Sequence, residues 1–389
     1  MTPTTSRTGE TEGVTVTEEL LDSWATDPTG PVALHLKQKL LPIEGEGGVI
    51  FPPTYVDIGY NIDELADGTK VATIDSVGSQ ANRMEPIFKA APKGQPENPL
   101  AKLVPQIAIK VNDSLEVSIF DVGHRLGDAL VRSTELSGEA KRAFEAVLNG
   151  DATQVAKLAP TSLVFGVWDS RETSAKLPRI VQSVIRAWDV QKLTRAAQYN
   201  PPLDYSALEV FSGEEKAKAE GNTKNALAQR GFVHVPSVKN PGGVVARGRI
   251  ERDVTINLVA LRRLRSAEKT DELRRYVLGL SLIAATEPLD GFLRQGCLLT
   301  ADPASPSDWT YVGRDGSRPR VALPAALILK YAEGAAKKFK VGESRSVAFE
   351  KARAKKDLED EKTTKGKKGA GKRERGTEPS ASAEAADGA

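Results

Sequence analysis

Cations set among small hydrogen-bonding side chains are the most suggestive chemistry in this chain, and they recur at four places. Asp75–Ala90 (DSVGSQANRMEPIFKA) gathers Ser76, Ser79, Gln80, Asn82 and Arg83 around Gly78, ahead of an expected helix. Exposed donors at a helix start meet the anionic oxygens of a sugar–phosphate backbone well. The competing account is an ordinary helix N-terminus capped by Asp75 or Ser76. Thr161–Tyr199 follows a hydrophobic strand with Ser170 and Arg171, then sets Arg179, Gln182 and Arg186 as a polar stripe at helical spacing. That stripe can present cations to an anion, or be the solvated face of a plain strand–helix unit. Gly123–Ser133 (GHRLGDALVRS) reads as a helix with His124, Arg125 and Arg132 as its polar members, His124 being packed or capping rather than catalytic. Gly231–Ile250 reads as a hairpin turning at Asn240-Pro241-Gly242-Gly243 and rimmed by Lys239, Arg247 and Arg249. Arg262, Arg263 and Arg265 form a tight basic cluster just beyond it.

Groups that make and break bonds are missing from the pattern. There is no phosphate-binding loop, no dinucleotide fingerprint and no nucleophile elbow. Asp169 beside Ser170 and Arg171 lacks a positioned base, so it is not a triad. The three histidines, His35, His124 and His234, have no ligand spacing, and the one cysteine, Cys297, sits in an apolar strand. Aromatic residues are only 5% of the chain, few for a reader that stacks successive bases but sufficient for one that grips backbone. The formal charge of +2 places electrostatics in local patches rather than in the total.

The elements that must carry these groups can be read in order. With 389 residues, 40% hydrophobic and 27% charged, the chain has globular values and enough length for a substantial core. No apolar run suits export or a membrane span, so a cytoplasmic protein is expected. Thr17 should cap a short helix ahead of Trp24, and Pro31–Ile43 alternates as a strand with His35, Lys37 and Lys39 on its polar side. Asp67-Gly68 should join two strands, Leu103–Val111 and Leu115–Phe120 should pair around Asn112-Asp113, and Glu139–Leu148 should be helical. Thr161–Trp168 is expected as a buried strand, Ile180–Trp188 as an apolar helix face, and Glu214–Arg230 as a polar helix. Further strands are expected at Val254–Ala260, Gly291–Thr300 and Trp309–Val312, with helices at Asp271–Ala284 and Pro324–Lys338. Residues 1–13 and 351–389 lack the apolar side chains to offset ordering entropy and are expected to be disordered. Interspersed strands and helices joined by hairpins predict an α+β fold, an antiparallel sheet with helices on one side.

Four blocks together carry a family resemblance: SVGSQANRMEP (Ser76–Pro86), GHRLGDALVRS (Gly123–Ser133), SLVFGVWDSRETSAKLPRIVQSVIRAWDV (Ser162–Val190) and GRIERDVTINLVALRRLR (Gly248–Arg265). Their order and spacing resemble the RAMP-superfamily backbone subunit of type I-G (formerly I-U) CRISPR Cascade, over roughly Leu20 to Lys340. The resemblance implies an RRM-like, ferredoxin-like palm over residues 14–345, with helical insertions and a thumb β-hairpin. The thumb would be residues 231–250, the alternative being the Val49–Ile74 hairpin. It implies a non-catalytic subunit, without cofactor or metal, that polymerises along the spacer of one CRISPR RNA. Each copy would present the guide for pairing with target DNA. Implied partners are the crRNA, target DNA through the guide, further copies of the chain, the large subunit, the five-prime-end and processing subunit, and a recruited helicase-nuclease, with no membrane. By the same resemblance Ser79, Gln80, Asn82 and Arg83 would grip the guide backbone, Ser170, Arg171 and Arg179 would form a second contact surface, and His124 with Arg125 a third. Arg247 and Arg249 would line the thumb. The rival within the superfamily is an endoribonuclease that processes pre-crRNA, with His124 or His35 as general base.

Overall fold

Within the expected strand Pro31–Ile43, Ala33–Pro42 form one for the reason their alternation gives: Leu34, Leu36 and Leu40 are buried on one face, while His35, Lys37 and Lys39 lie on the other. A computed structural model describes residues 14–359. The expected disorder of residues 1–13 and 360–389 lies outside the described residues. Residues 351–359 are helical, so the change in composition at Lys351 does not mark the end of ordered structure. The sequence suggests one domain over 14–345; the described chain divides into two units. The first takes residues 14–85, 179–263 and 274–338, and the second takes residues 86–178, 264–273 and 339–359. Among the described residues no helix is long and apolar enough to cross a membrane.

The first unit begins with helix α1 (Glu18–Thr26), capped by Thr17 as its sequence predicts. Strand β1 (Ala33–Pro42) follows, then β2 (Ile62–Glu64) and β3 (Lys70–Asp75), joined around Asp67-Gly68, where Gly68 takes φ +83°. Ser76 caps helix α2 (Val77–Met84). Strands β4 (Val181–Trp188) and β5 (Val190–Tyr199) come next, then β6 (Val235–Ala246), β7 (Ile250–Asn257), helix α3 (Leu258–Arg262) and, from residue 274 on, helix α4 (Thr270–Thr286). The chain continues through β8 (Phe292–Arg294), β9 (Cys297–Ala301), β10 (Trp309–Val312), β11 (Arg320–Val321) and helix α5 (Ala325–Phe339). The expected strand Gly291–Thr300 is thus a hairpin, β8 and β9, turning at Gly296.

Nine of these strands make one antiparallel sheet in the order β8-β9-β1-β7-β4-β3-β2, with β10 also on β1 and β11 on β10. The α+β class with an antiparallel sheet is therefore present. Ile180–Trp188, expected as a helix, is instead β4 in the middle of that sheet. Val181, Ser183, Ile185 and Ala187 are buried on one face, and Val184 is covered on the other. Val184, buried on a face that otherwise carries Gln182, Arg186 and Trp188, breaks the alternation, and periodicity alone does not separate the resulting short apolar run from a helix.

Two of the sheet's strands do not stop at its edge. β4 pairs with β7 from Val181↔Ile256 to Ala187↔Ile250, and the same two chain segments then pair as β5 and β6 from Val190↔Ala246 to Tyr199↔Val235. The ribbon bends between these stretches at Asp189, φ +49°, opposite Arg247-Gly248. Backbone bonds hold the bend, Arg247 N to Asp189 O at 2.9 Å and Gly248 N to Trp188 O at 3.1 Å. A Cβ on Gly248 would lie 2.8 Å from the Trp188 carbonyl oxygen, so this approach requires glycine. The hairpin turn expected at Asn240–Gly243 does not form. Those residues continue β6, and register slips opposite Leu193–Ala197 absorb the Pro-Gly-Gly step. The segment 231–250 is thus one side of a ribbon rather than a hairpin by itself. Its far end carries two short helices, Gly213–Ala219 and Ala226–Gln229, around Ala219, Ala228 and Val233. Gly221, at φ +76°, breaks the single helix expected there.

The second unit holds the hairpin Ile107–Asn112 and Leu115–Ser118, with Arg345–Ala348 added in parallel, and the helix Ser137–Leu148. Gly123–Ser133 forms a 3-10 turn and one short helix, Ala129–Arg132, rather than a continuous helix. Thr161–Phe165, expected as a strand, is a helical turn with all five side chains buried. It ends at Gly166 (φ +78°), and only Val167–Trp168 is strand, paired with Lys176–Leu177. Pro160 occupies the helix N-cap there, so it opens a helix rather than blocking one.

A polar chain, buried but for the exposed Arg83 at its end, joins α2 to the sheet of the first unit. The Asp75 Oδ2 atom accepts from Gln80 Nε2 at 2.7 Å and from Arg83 Nε at 3.0 Å. The Ser183 hydroxyl donates to Gln80 Oε1 at 2.7 Å and accepts from Arg252 Nε at 3.2 Å. Arg83 Nη2 also donates to the Leu293 carbonyl at 2.5 Å. Burial pushes the Arg252 guanidinium down to about 10. The chain thereby ties α2 to β3, β4, β7 and β8. Asp75→Ala should leave the buried Gln80 amide without its acceptor and release Arg83 to solvent, at a cost of about 1–3 kcal/mol in chemical denaturation. A loss below about 0.5 kcal/mol, the range of ordinary surface substitutions, would show the network to be dispensable.

Candidate nucleic-acid interface

The bend of the ribbon brings cations together from separate parts of the first unit. Lys70 stands at the start of β3, Lys192 near the start of β5, and Arg247 directly after β6. With Glu64, Asp189 and the apolar Ile58, Tyr60 and Ile62 they line an open cleft of about 630 Å³. Arg247 Nη2 donates to Gln191 Oε1 at 2.8 Å, and Lys70 lies 3.9 Å from Glu64 at the rim. Both Lys192 and Arg247 are exposed. Such a surface suits the oxygens of a phosphodiester backbone.

On the polar face of the sheet Arg249 lies over the Trp188 ring, 4.6 Å from its centroid, with Nε 2.5 Å from Glu251 Oε2. Lys37 stands 3.9 Å from the same carboxylate. Nearby, His35 Nδ1 is 3.0 Å from Thr255 Oγ1, and its Nε2 is 3.6 Å from Asp253. Burial pushes the His35 pKa down, only partly opposed by Asp253, so the ring is neutral at pH 7. Among the described residues no group of three or more His, Cys, Asp or Glu is placed to hold a metal ion.

The residues singled out from sequence fall into distinct environments. Gln80 is fully buried with both ends of its amide engaged, and burial takes it away from any surface ligand. Arg83 is turned onto Asp75 and the Leu293 carbonyl, and Ser79 lies against the Ser76 cap. Asn82 is exposed on α2, and Arg179 is half-buried at the entry to β4. Arg247 and Arg249 flank Gly248 and are both exposed, Arg247 against Gln191 and Arg249 over Trp188. Arg262, from the expected basic cluster, is buried and donates to the Trp24 carbonyl at 2.9 Å and to that of Pro31.

In the second unit Arg125 is buried, with φ +51°. Its Nη1 donates to the Gly166 carbonyl at 3.3 Å and its guanidinium lies 5.3 Å from the Phe165 ring centroid. Its role there is to hold the end of the Thr161–Phe165 turn. His124 is exposed, and its backbone N–H donates to Asp128. Ser170 and Arg171 are exposed on a loop organised by Asp169, which is buried. That carboxylate accepts from Thr173 Oγ1 at 2.6 Å, Thr173 N at 2.8 Å, and the N–H groups of Arg171 and Glu172, both at 3.3 Å. Burial alone would raise its pKa, but these bonds together hold it below the usual carboxylate value.

Sequence reasoning missed Lys70 and Lys192. The signal for Lys192 was the alternation after Asp189, hidden once the preceding residues were read as helical.

Residues 34–192 match a family model described as CRISPR-associated protein GSU0053. That span is under half of the chain and takes in β1 to β4 with the start of β5. No curated protein matches. A chain from a structure described as "CRISPR RNA-guided surveillance complex, pre-nicking" aligns over 81% of this chain and 95% of its own length, at 12% identity. Its TM-score of 0.31 is too low to define a shared fold. Over residues 34–192, then, this chain is similar to a CRISPR-associated family.

Proposed function

We propose that this chain is a non-catalytic backbone subunit of a CRISPR interference complex of the type I-G Cascade kind. Copies assemble along the spacer of a crRNA and present it for pairing with target DNA. The observation that carries the reading is the cation-lined ribbon base in a chain whose residues 34–192 match a CRISPR-associated family. The antiparallel sheet is the RRM-like palm of this proposal, and the ribbon of β5 and β6 is its thumb, wider than the segment 231–250 first expected. Its guide contacts are Lys70, Lys192, Arg247 and Arg249 at the ribbon base, with Asn82, Arg179, Ser170, Arg171 and His124 as outlying candidates. Partners are the crRNA, target DNA through the guide, further copies of the chain and the remaining Cascade subunits, in the cytoplasm.

The guide contacts are testable by salt dependence. Lys192→Ala and Arg247→Ala should each weaken binding of spacer-length RNA and flatten the log K against log salt slope by about 0.7 per lost phosphate contact. Arg83→Ala, acting on an internal partner, should lower stability and leave the slope unchanged. An unchanged slope for both ribbon-base variants would rule out this surface. Incubation of the purified chain with repeat RNA should leave the RNA intact, and specific cleavage abolished by His124→Ala would overturn the non-catalytic reading. Deleting residues 360–389 should leave length-defined RNA complexes in place; their loss would give that segment a structural role.

A further inference from the structure

Trp168 was expected in a buried strand, and it is 58% exposed. The local structure forces that exposure. Val167 and Asp169, on either side, are both buried, so strand alternation turns the indole outward. Asp169 is fixed by four hydrogen bonds, and its N–H donates to the Ala175 carbonyl at 2.9 Å, closing the hairpin directly beside the ring. Gly127 packs beneath, where a Cβ would come within 3.3 Å of the Trp168 carbonyl oxygen. An exposed indole costs solvation, and here a rigid hairpin holds it out.

Its cross-strand partner is Lys176, whose ammonium lies 5.4 Å from the ring centroid. The other hairpin residues at the surface, Ser170, Arg171, Glu172 and Ser174, are polar and exposed. Glu172 lines a small separate cavity with Arg132 and Asp357. A dry protein–protein anchor needs an apolar surround, which this hairpin does not supply. A ring beside a cation answers the two halves of a nucleotide, a flat base and a phosphate.

We infer that Trp168 and Lys176 form a stacking site for one unpaired nucleobase of single-stranded nucleic acid, Trp168 taking the base and Lys176 the adjoining phosphate. The inference rests on the reading of the chain as a guide-holding subunit, and supplies a contact of a different kind from the ribbon base. Sequence-independent stacking is what a subunit holding guides of any sequence requires.

The test titrates the full-length chain with an oligouridylate of about eight nucleotides, within the site size of a single-strand binder, and with an abasic ribose-phosphate of equal length. Trp168→Ala should weaken the oligouridylate by about 5- to 100-fold and leave the abasic probe unchanged, while Trp168→Phe should retain most of the affinity. Lys176→Ala should weaken both probes. Equal effects of Trp168→Ala on the two probes, or no effect on either, would overturn the site. A change in self-association without nucleic acid would also overturn it, by assigning the ring to a protein interface. Lys192→Ala and Arg247→Ala in the same assay separate the two ideas. If they weaken binding while Trp168→Ala does not, the stacking site fails and the guide-holding reading stands; if none of the three has an effect, both fail.

Discussion

The pairing of Val181–Tyr199 with Val235–Asn257 is the constraint on which the first unit depends. Its inner half, β4 on β7, is the middle of the nine-stranded sheet, and its outer half, β5 on β6, leaves that sheet as a ribbon. The same two segments therefore build both the platform and the arm, with the register slipping along the arm. The bend between them, at Asp189 and Arg247-Gly248-Arg249, is where the ladder must give way, and it is where Lys192, Arg247 and Arg249 emerge. Cations at a bend held by backbone bonds have positions set by the fold, which lowers the ordering cost of binding.

A second constraint is that several arginines of this chain are engaged by the fold itself, Arg125, Arg252 and Arg262 buried, Arg83 and Arg314 exposed. Arg83 and Arg252 complete the polar chain through Asp75 and Ser183, Arg125 closes the turn before Gly166, and Arg262 and Arg314 donate to carbonyls of residues 24–31. Each satisfies groups whose isolation would cost more than an ordinary hydrogen bond contributes. Arginine serves such sites well because its planar fork reaches several acceptors at once.

That double use limits what could be read beforehand. Local signals were legible: Thr17 and Ser76 as caps, Asp67-Gly68 as a turn, and the alternation of β1. The failures came where burial erased the period. β4, its alternation broken by the buried Val184, imitated a helix, and Thr161–Phe165, buried all round, imitated a strand. The cluster around Gly78 looked like a ligand grip because five polar side chains seemed too many for one cap. In the structure Ser76 caps, Gln80 and Arg83 bridge to Asp75, and only the long-range partners Ser183 and Leu293 show why. Such partners lie about a hundred or more residues away in sequence, beyond any local pattern. The ribbon-base cleft was hidden for the same reason, since Lys70, Lys192 and Arg247 meet only once the sheet has formed.

The central claim is that the ribbon base holds the guide. Ultraviolet crosslinking of the full-length chain to spacer-length RNA, with mass spectrometry of the crosslinked peptides, tests it most directly. Adducts are expected within residues 188–192 and 247–249. Adducts confined to other surfaces, with those two segments unmodified under the same exposure, would contradict it.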